Sequence, residues 1–132
     1  MTEVLQRGSA DIALDMRPSQ DRRAQMCRAM LRRHTIVERL IGKVLSTDPY
    51  WEILLDLYLA ELEQRSLYQS CLAATAPPAN AHRHSARLEN MGAVTRVDDP
   101  DDHRRRTVRL TPRMREAFDQ IMDEVSELVS VL

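Results

Sequence analysis

The chain has 132 residues, which is enough for one domain with its own core and too few for two ordinary domains. Its 43% hydrophobic and 30% charged residues exclude an intrinsically disordered chain, and its 4% aromatic content favours an aliphatic, mainly helical core. The formal net charge of −1 gives no overall basic excess, so any contact with nucleic acid must depend on where the arginines lie.

Several classes of protein are excluded by what the sequence lacks. No apolar run approaches the roughly 20 residues of a membrane-spanning helix, and the first residues have neither the basic nor the apolar part of a secretion signal. The cysteines, Cys27 and Cys71, have no disulfide or metal-binding spacing, which is typical of a reducing cytoplasm. No phosphate-binding loop, nucleophile elbow or zinc-protease motif is present. We therefore expect a cytoplasmic protein with no membrane partner, enzymatic activity, cofactor or metal.

The first part of the chain predicts an arm followed by two helices. Residues 1–19 contain helix-breaking residues and are expected to form a flexible arm. Residues 20–45 have apolar side chains at helical spacing and predict a long amphipathic helix. A second helix is expected with Asp48 as its N-cap and Pro49 at its first position. The wide apolar face of this second helix is typical of a central, buried element.

Two further helices and a β-hairpin are predicted in the middle of the chain. Ser66 is expected to cap a short helix that includes Leu67 and Cys71, with Cys71 in the core. Another helix should span about 78–91 and end at Gly92, a residue suited to the left-handed conformation that closes helices. The alternating segments AVTRV and TVRL flank a polar loop that contains proline, which predicts a two-stranded hairpin.

The last helix is expected to begin at Thr111-Pro112 and to form a dimer contact. Its apolar residues recur at alternating steps of four and three, which is a heptad seam. Because one protomer has little left to cover this seam, a partner helix from a second copy is the natural occupant. The predicted dimerisation residues are Met114, Phe118, Ile121, Val125, Leu128 and Leu132.

The order of these elements is typical of a winged helix-turn-helix domain. A helix, a turn, a second helix that ends in glycine, and a hairpin with a charged tip follow one another. The second helix fits the DNA major groove, and the hairpin can reach the minor groove or the backbone. Two functions remain open on architecture alone: sequence-specific DNA binding, or a winged-helix module that binds other proteins.

One stretch, RLENMGAVTRVDDPDDHRRRTVRLTP, resembles the MarR (multiple antibiotic resistance) family pattern of a recognition-helix end, a wing and the start of a last helix. The resemblance covers roughly residues 48–125 and is more specific in the wing and strand than in the helix-turn-helix. The matching residues are Arg87-Leu88-Glu89 before Gly92, Asp102-His103-Arg104 in the wing, and Val108-Arg109-Leu110-Thr111 in the strand.

The resemblance implies a homodimeric, DNA-binding transcriptional regulator. Such regulators are typically repressors, and many respond to a small phenolic or anionic effector or to an oxidant. The implied fold is mainly α, with about five or six helices and a two-stranded wing, and it dimerises through its terminal helices. Residues 20–132 would form a single domain, with dimerisation helices at 20–46 and 112–132 and the winged helix-turn-helix at 48–111.

The resemblance also implies which residues contact DNA. Arg104 takes the place of the wing-tip arginine that enters the minor groove, where the negative potential is concentrated. Asp102 matches the aspartate that orients neighbouring arginines, while Arg105 and Arg106 flank it as phosphate contacts. On the recognition helix, the exposed positions are Ala79, Asn80, His82 and Arg83, with Arg87 one turn later near the DNA backbone. Asn80 suits adenine, and Arg83 suits guanine or a phosphate.

Competing interpretations remain for several of these residues. Arg83 and Arg87 could instead form ion pairs with Glu89 or with the wing aspartates. The aspartates between 98 and 102 lack the spacing of a calcium loop, and Cys27 is either an oxidant sensor or a small hydrophobe.

Two positions of the recognition helix depart from the family pattern. His84 and Ser85 stand where the family usually has apolar residues facing the core. We expect this departure to alter the pitch of the helix, to change DNA specificity or to weaken DNA binding.

Overall fold

The chain folds as four α-helices and a small antiparallel sheet within the residues that the computed structural model describes, 19–72 and 78–130. The expected class, a mainly α winged helix, is confirmed, although the described residues contain fewer α-helices than predicted. Nearly all of the predicted arm lies outside the described residues, as does Leu132. The elements in chain order are α1 (Gln20–Leu45), α2 (Tyr50–Leu62), β1 (Leu67–Tyr68), a 3-10 turn (Gln69–Cys71), α3 (Pro78–Asn90), β2 (Val94–Asp98), β3 (Arg106–Leu110) and α4 (Pro112–Ser130).

Helix α1 has the bounds that its apolar spacing predicts. Ser19 caps it, because its Oγ accepts a hydrogen bond from the backbone N–H of Arg22 at 3.1 Å. Near the other end, Gly42 leaves the helical conformation with φ 85° and ψ 169°, which glycine adopts without a Cβ clash. The helix is therefore kinked at Gly42. None of the described helices is both long and apolar enough to cross a lipid bilayer.

The start of α2 differs from the prediction. Asp48 does not cap this helix, since Pro49 occupies the N-cap position with φ −83° and ψ −7° and no side chain caps it. The backbone supplies the first bonds instead: the carbonyl of Thr47 accepts from Trp51 N at 3.0 Å, and that of Pro49 accepts from Ile53 N at 3.1 Å. The central position expected for α2 is confirmed by its buried residues Tyr50, Ile53, Leu54, Leu57, Tyr58 and Ala60.

The start of the short helix predicted after Ser66 is wrong, and helical geometry there is confined to the 3-10 turn Gln69–Cys71 within the described residues. Leu67 and Tyr68 form strand β1, which pairs antiparallel with β3, Leu67 lying opposite Val108. An extended segment at this sheet edge satisfies its backbone through β3, which a helix could not do. The sheet therefore has three strands in the order β1-β3-β2 rather than two. Cys71, in the 3-10 turn that follows, is exposed and not in the core as predicted.

The predicted wing hairpin is confirmed. Strands β2 and β3 pair antiparallel in continuous register from Val94 opposite Leu110 to Asp98 opposite Arg106. Gly92, which closes α3, has φ 73° as expected for a left-handed C-terminal residue. The base of the hairpin is tied to α4 through Thr111, whose hydroxyl donates to Gly92 O at 2.8 Å. The wing thus projects from a firmly bonded base.

Helix α4 starts as predicted, but only part of its heptad seam is exposed on the surface of the protomer. Thr111 Oγ1 accepts a hydrogen bond from Met114 N at 3.3 Å and so caps the helix. Met114, Phe118 and Ile121 are only 3%, 0% and 1% exposed within a single protomer. Their assignment to the dimer interface is therefore wrong, because α1, α2 and β3 of the same protomer already cover this part of α4. Val125 and Leu128 are half-buried and remain available to a partner.

The centre of the core lies between α2 and α4. The Phe118 ring stacks on Trp51 with centroids 5.5 Å apart and lies 5.4 Å from the Tyr58 ring. Tyr58 donates a hydrogen bond from its hydroxyl to Asp119 Oδ1 at 2.6 Å. Burial, together with this bond to Asp119, raises the pKa of Tyr58 to about 12. These contacts hold α4 against the helix-turn-helix.

Candidate nucleic-acid interface

One side of helix α3 is polar and faces solvent, and a narrower side is buried against the core. Ala81, Ser85 and Leu88 are buried at steps of four and three, which fixes the rotation of the helix against the core. As a result His82 and Arg83 are exposed, and Asn80 is half-buried. The side chain of Ala79 lies outside the described part of the chain. Of the residues expected to contact DNA on this helix, His82 and Arg83 are thus exposed, whereas Asn80 is partly covered.

The two arginines of α3 have different surroundings. Among the described residues, Arg83 makes no ion pair, so the alternative pairing with Glu89 or the wing aspartates is not observed. Arg87 donates a hydrogen bond from Nη1 to the Tyr50 hydroxyl at 3.1 Å, and its guanidinium lies 6.0 Å from the centre of that ring. Arg83 is therefore free to contact a ligand, whereas Arg87 is anchored on α2.

The wing tip is built around Asp102. Its carboxylate accepts a hydrogen bond from the backbone N–H of Arg104 at 3.0 Å, and it lies 3.8 Å from Arg104 Nε and 3.7 Å from Arg105 Nε. These contacts are those that an orienting aspartate requires. The side chain of Arg104 is 95% exposed. It is thus held at its backbone while its guanidinium projects into solvent.

The other wing arginines are partly neutralised within the protomer. Arg105 lies 4.6 Å from the centre of the Tyr68 ring and 3.5 Å from the buried carboxylate of Asp99. Arg106 Nε donates to Asp98 Oδ1 at 3.1 Å. The sequence predicts that Arg105 and Arg106 contact phosphates, but these carboxylates already balance part of their positive charge. Arg104 is therefore the most available cation of the wing.

Helix α3 and the wing meet around a shared cavity of about 300 Å³. The 3-10 turn closes it on the third side. Because histidine and arginine side chains from two elements line it, the two predicted contact surfaces form one continuous basic face. The lining residues are Gln69, Ser70, His82, His103, Arg104, Arg105 and Arg106.

A polar network lies behind this face and was not predicted from the sequence. Arg96 donates from Nη2 to Glu89 Oε1 at 3.0 Å and from Nη1 to Gln69 Oε1 at 3.1 Å. Ser85 Oγ also donates to Gln69 Oε1, at 2.9 Å. The hydrogen bond from Arg96 holds the pKa of Glu89 below its usual value. The only sequence signal for this network is polarity at core-facing positions such as Ser85.

The two departures from the family pattern have different consequences. Ser85 is fully buried, and its single hydroxyl proton is shared between Gln69 Oε1 and the carbonyl oxygen of His82 at 3.0 Å, so the buried donor is paired. His84 packs edge-on against the Tyr50 ring, with centroids 5.6 Å apart. Its buried Nδ1 has no hydrogen-bond partner among the described residues. Ser85 is therefore part of the internal bonding of α3 rather than a defect in it.

Comparisons with known proteins give structural relatives only. No family model and no curated protein matches the sequence. A DNA-bound MepR variant from S. aureus matches with 26% identity and a TM-score of 0.60, over 83% of this chain and 80% of that chain. A probable transcriptional regulator from Pseudomonas aeruginosa matches with 26% identity and a TM-score of 0.51, over 81% of each chain.

NadR in complex with 4-hydroxyphenylacetate matches with 24% identity and a TM-score of 0.57, over 80% of this chain and 74% of that chain. The chain has the winged-helix fold of MarR-type transcriptional regulators. In this fold, α3 takes the position of the second helix of the helix-turn-helix, and the β2–β3 hairpin takes that of the wing. The cavity between them brings together four of the nine residues that the sequence predicts for DNA contact: His82, Arg104, Arg105 and Arg106.

Proposed function

We propose that this protein is a cytoplasmic, homodimeric, sequence-specific DNA-binding regulator that represses transcription. The observation that carries the proposal is the basic face on which exposed His82 of α3 adjoins exposed Arg104 of the wing, with Arg83 exposed on the same helix. A helix and a hairpin in this arrangement match the major groove and the adjacent minor groove of one duplex. The relationship to DNA-bound MepR supports the same use of the two elements.

Base reading is assigned to the first turns of α3 and backbone contact to the wing. Asn80 and Arg83 are three residues apart and so share one side of the helix near its N-terminal end. That end meets base edges in helix-turn-helix proteins, and later turns approach the phosphates. Arg87, anchored on Tyr50, suits a backbone contact. Arg104 suits the minor groove because a single exposed guanidinium is attracted to its potential.

Dimerisation is supported by apolar surface that one protomer leaves uncovered. From Gln20 to Thr35 nearly every α1 side chain is exposed, although an isolated helical segment of this length is marginally stable in water. Met26, Met30 and Leu31 are between 46% and 66% exposed. Beside them, a groove of about 460 Å³ between α1 and α4 contains Arg28 and Arg32 together with Glu124 and Glu127, and this mixture of charges suits a second copy of the same helices.

An effector site is proposed at the kink of α1. A cavity of about 470 Å³ lies there and contains apolar side chains together with Lys43 and Arg113. A pocket with apolar walls and a few cations suits a small aromatic anion. The ligand in the NadR complex, 4-hydroxyphenylacetate, is such an anion. Binding at the junction of α1 and α4 would change the spacing of the two recognition helices and release DNA.

The test of this proposal is a selection from random DNA duplexes. We expect the wild type to enrich a palindrome with half-sites about one helical turn apart. Asn80→Ala and Arg83→Ala should each relax preference at one position of every half-site, because a bidentate contact discriminates by about 1–3 kcal/mol. If no palindrome is enriched, or if both variants enrich the wild-type sequence, base reading by α3 is wrong and the protein-interaction module becomes the better hypothesis.

The wing makes a separate prediction. Arg104→Ala should weaken DNA binding, because one cation would leave the interface. The slope of log affinity against log salt concentration should decrease in magnitude by about one. The thermal midpoint should hardly change, since a 95% exposed side chain contributes little to stability.

Fluorescence anisotropy over a salt series measures the effect. Arg22→Ala is the matched control, because Arg22 is also an exposed arginine but lies at the start of α1. An unchanged salt slope for Arg104→Ala would remove the wing tip from the interface.

A further inference from the structure

The bond between Gln69 and His82 has a direction that its neighbours determine. Gln69 Nε2 and His82 Nδ1 are 2.9 Å apart, and either ring tautomer is compatible with that distance alone. On its other side, however, Gln69 meets Arg96 Nη1 at 3.1 Å. Arginine has donors and no acceptor, so the Gln69 atom that faces Arg96 must be the oxygen.

The orientation of Gln69 then fixes the proton on His82. With Oε1 facing Arg96 and accepting also from Ser85 Oγ, the Gln69 amide group that faces His82 is the NH₂, which can only donate. His82 Nδ1 must therefore accept, and it has no proton in the neutral ring. The proton lies on Nε2, at the opposite edge of the imidazole. Among the described residues, no hydrogen-bond partner occupies Nε2.

Arg96 is fixed in position by its own hydrogen bonds, and this stabilises the orientation of the Gln69 amide. Its side chain is only 12% exposed, and its guanidinium and backbone N–H both donate to Glu89, at 3.0 Å and 3.2 Å. The network thus links the 3-10 turn, α3 and β2 through charge-assisted bonds. A rotation of the Gln69 amide would place its NH₂ against the arginine donor, so the alternative orientation is disfavoured.

We propose that Gln69 and Arg96 are positioning residues that hold His82 as the neutral Nε2–H tautomer, so that it presents a hydrogen-bond donor at the DNA face. The use of that donor on DNA rests on the proposed function; the tautomer does not. An Nε2–H donates to a guanine edge or a phosphate oxygen, whereas the other tautomer presents a lone pair that these acceptors repel. The groups that share the cavity with His82 are Ser70, His103, Arg104, Arg105 and Arg106, and none of them is an acidic side chain.

The first test reads the tautomer directly, in the protein without DNA. Nitrogen-15 NMR of histidine-labelled protein at about pH 8, where an ordinary histidine is neutral, reports which ring nitrogen has the proton. We expect His82 to show a single Nε2–H form. His103 is the control in the same spectrum, because no hydrogen bond to its ring is found within residues 19–72 and 78–130, and it should average between the two forms.

A Gln69→Glu variant should reverse the result. A carboxylate only accepts, so it satisfies Arg96 and Ser85 and also requires a proton on His82 Nδ1. The NMR signals of His82 should change to those of a ring with a protonated Nδ1, while those of His103 stay unchanged. If wild-type His82 averages like His103, or has its proton on Nδ1, the proposal is overturned; the wild-type spectrum decides this even if the variant does not fold.

The second test concerns the use of the donor on DNA. His82→Ala and Gln69→Leu should each weaken binding about fivefold to tenfold, the size of one lost hydrogen bond, and the double variant should be no weaker than either. Additive losses would show that Gln69 acts on DNA binding independently of His82 and would overturn the positioning role. If the wild type binds no duplex, the proposed function fails, whereas the NMR result for the tautomer stands.

Discussion

Replacing Phe118 by alanine is expected to lower the free energy of unfolding by about 3–5 kcal/mol, the usual cost of removing a fully buried aromatic side chain. Phe118 is 0% exposed, and its ring packs against Trp51 and Tyr58. The cavity left behind would lie between α2 and α4, where the helix-turn-helix is attached to the last helix. Because a domain of this size is stabilised by only about 5–15 kcal/mol, this loss removes a large fraction of the stability and should lower the urea midpoint clearly.

Urea denaturation followed by circular dichroism measures this loss. Glu116→Ala is the control on the same helix, because Glu116 is exposed in the protomer and outside the predicted dimer seam, so its replacement should cost far less. Both variants should be compared at one protein concentration, since dimerisation contributes to apparent stability. A Phe118→Ala protein that folds as a stable monomer with the wild-type urea midpoint would contradict the core position and restore the heptad seam as an interface.

The double variant Met26→Asp/Met30→Asp is expected to be monomeric and to lose affinity for a palindromic duplex by roughly a hundredfold or more. Both residues are exposed on one side of α1, four positions apart. In the proposed dimer they are covered by the partner, and burying two unpaired carboxylates there is strongly unfavourable. A monomer engages one half-site only, so the gain from binding two linked half-sites disappears.

Light scattering and anisotropy on the same samples test both parts of this prediction. Thr35→Asp is the control, because it introduces the same charge on the other side of α1 at an exposed position. It should leave the oligomeric state and the affinity unchanged. If the double variant stays dimeric at micromolar concentration, the dimer is formed by other residues.

The elements that the sequence predicts well are those with strong local signals. The bounds of α1 follow from helical spacing, the start of α4 from Thr111 and Pro112, and the end of α3 from Gly92. In each case the residues that determine the structure lie within a few positions of one another. The exposure of His82, Arg83 and Arg104 agrees with what the family resemblance implied, whereas their contact with DNA stays a prediction.

Strand β1 and the burial of the α4 seam depended on distant partners. A two-residue segment has no periodicity of its own, and Leu67 is extended because the edge of β3, some forty residues later, offers it backbone bonds. Heptad spacing shows that one side of α4 is apolar but not what covers it. Trp51 and Tyr58 of the same chain cover Phe118, which a helical wheel cannot show.

The sequence by itself therefore determined the helices with strong caps, the wing and the identity of the exposed cations. Only the tertiary structure decided the network behind them. Gln69, Ser85 and Arg96 come from three elements, and their polarity is compatible with solvent exposure until the fold brings them together. The physical reason is that a buried polar group is stabilised by hydrogen-bond partners on other elements. The spacing of residues along one helix or strand does not show where those partners lie.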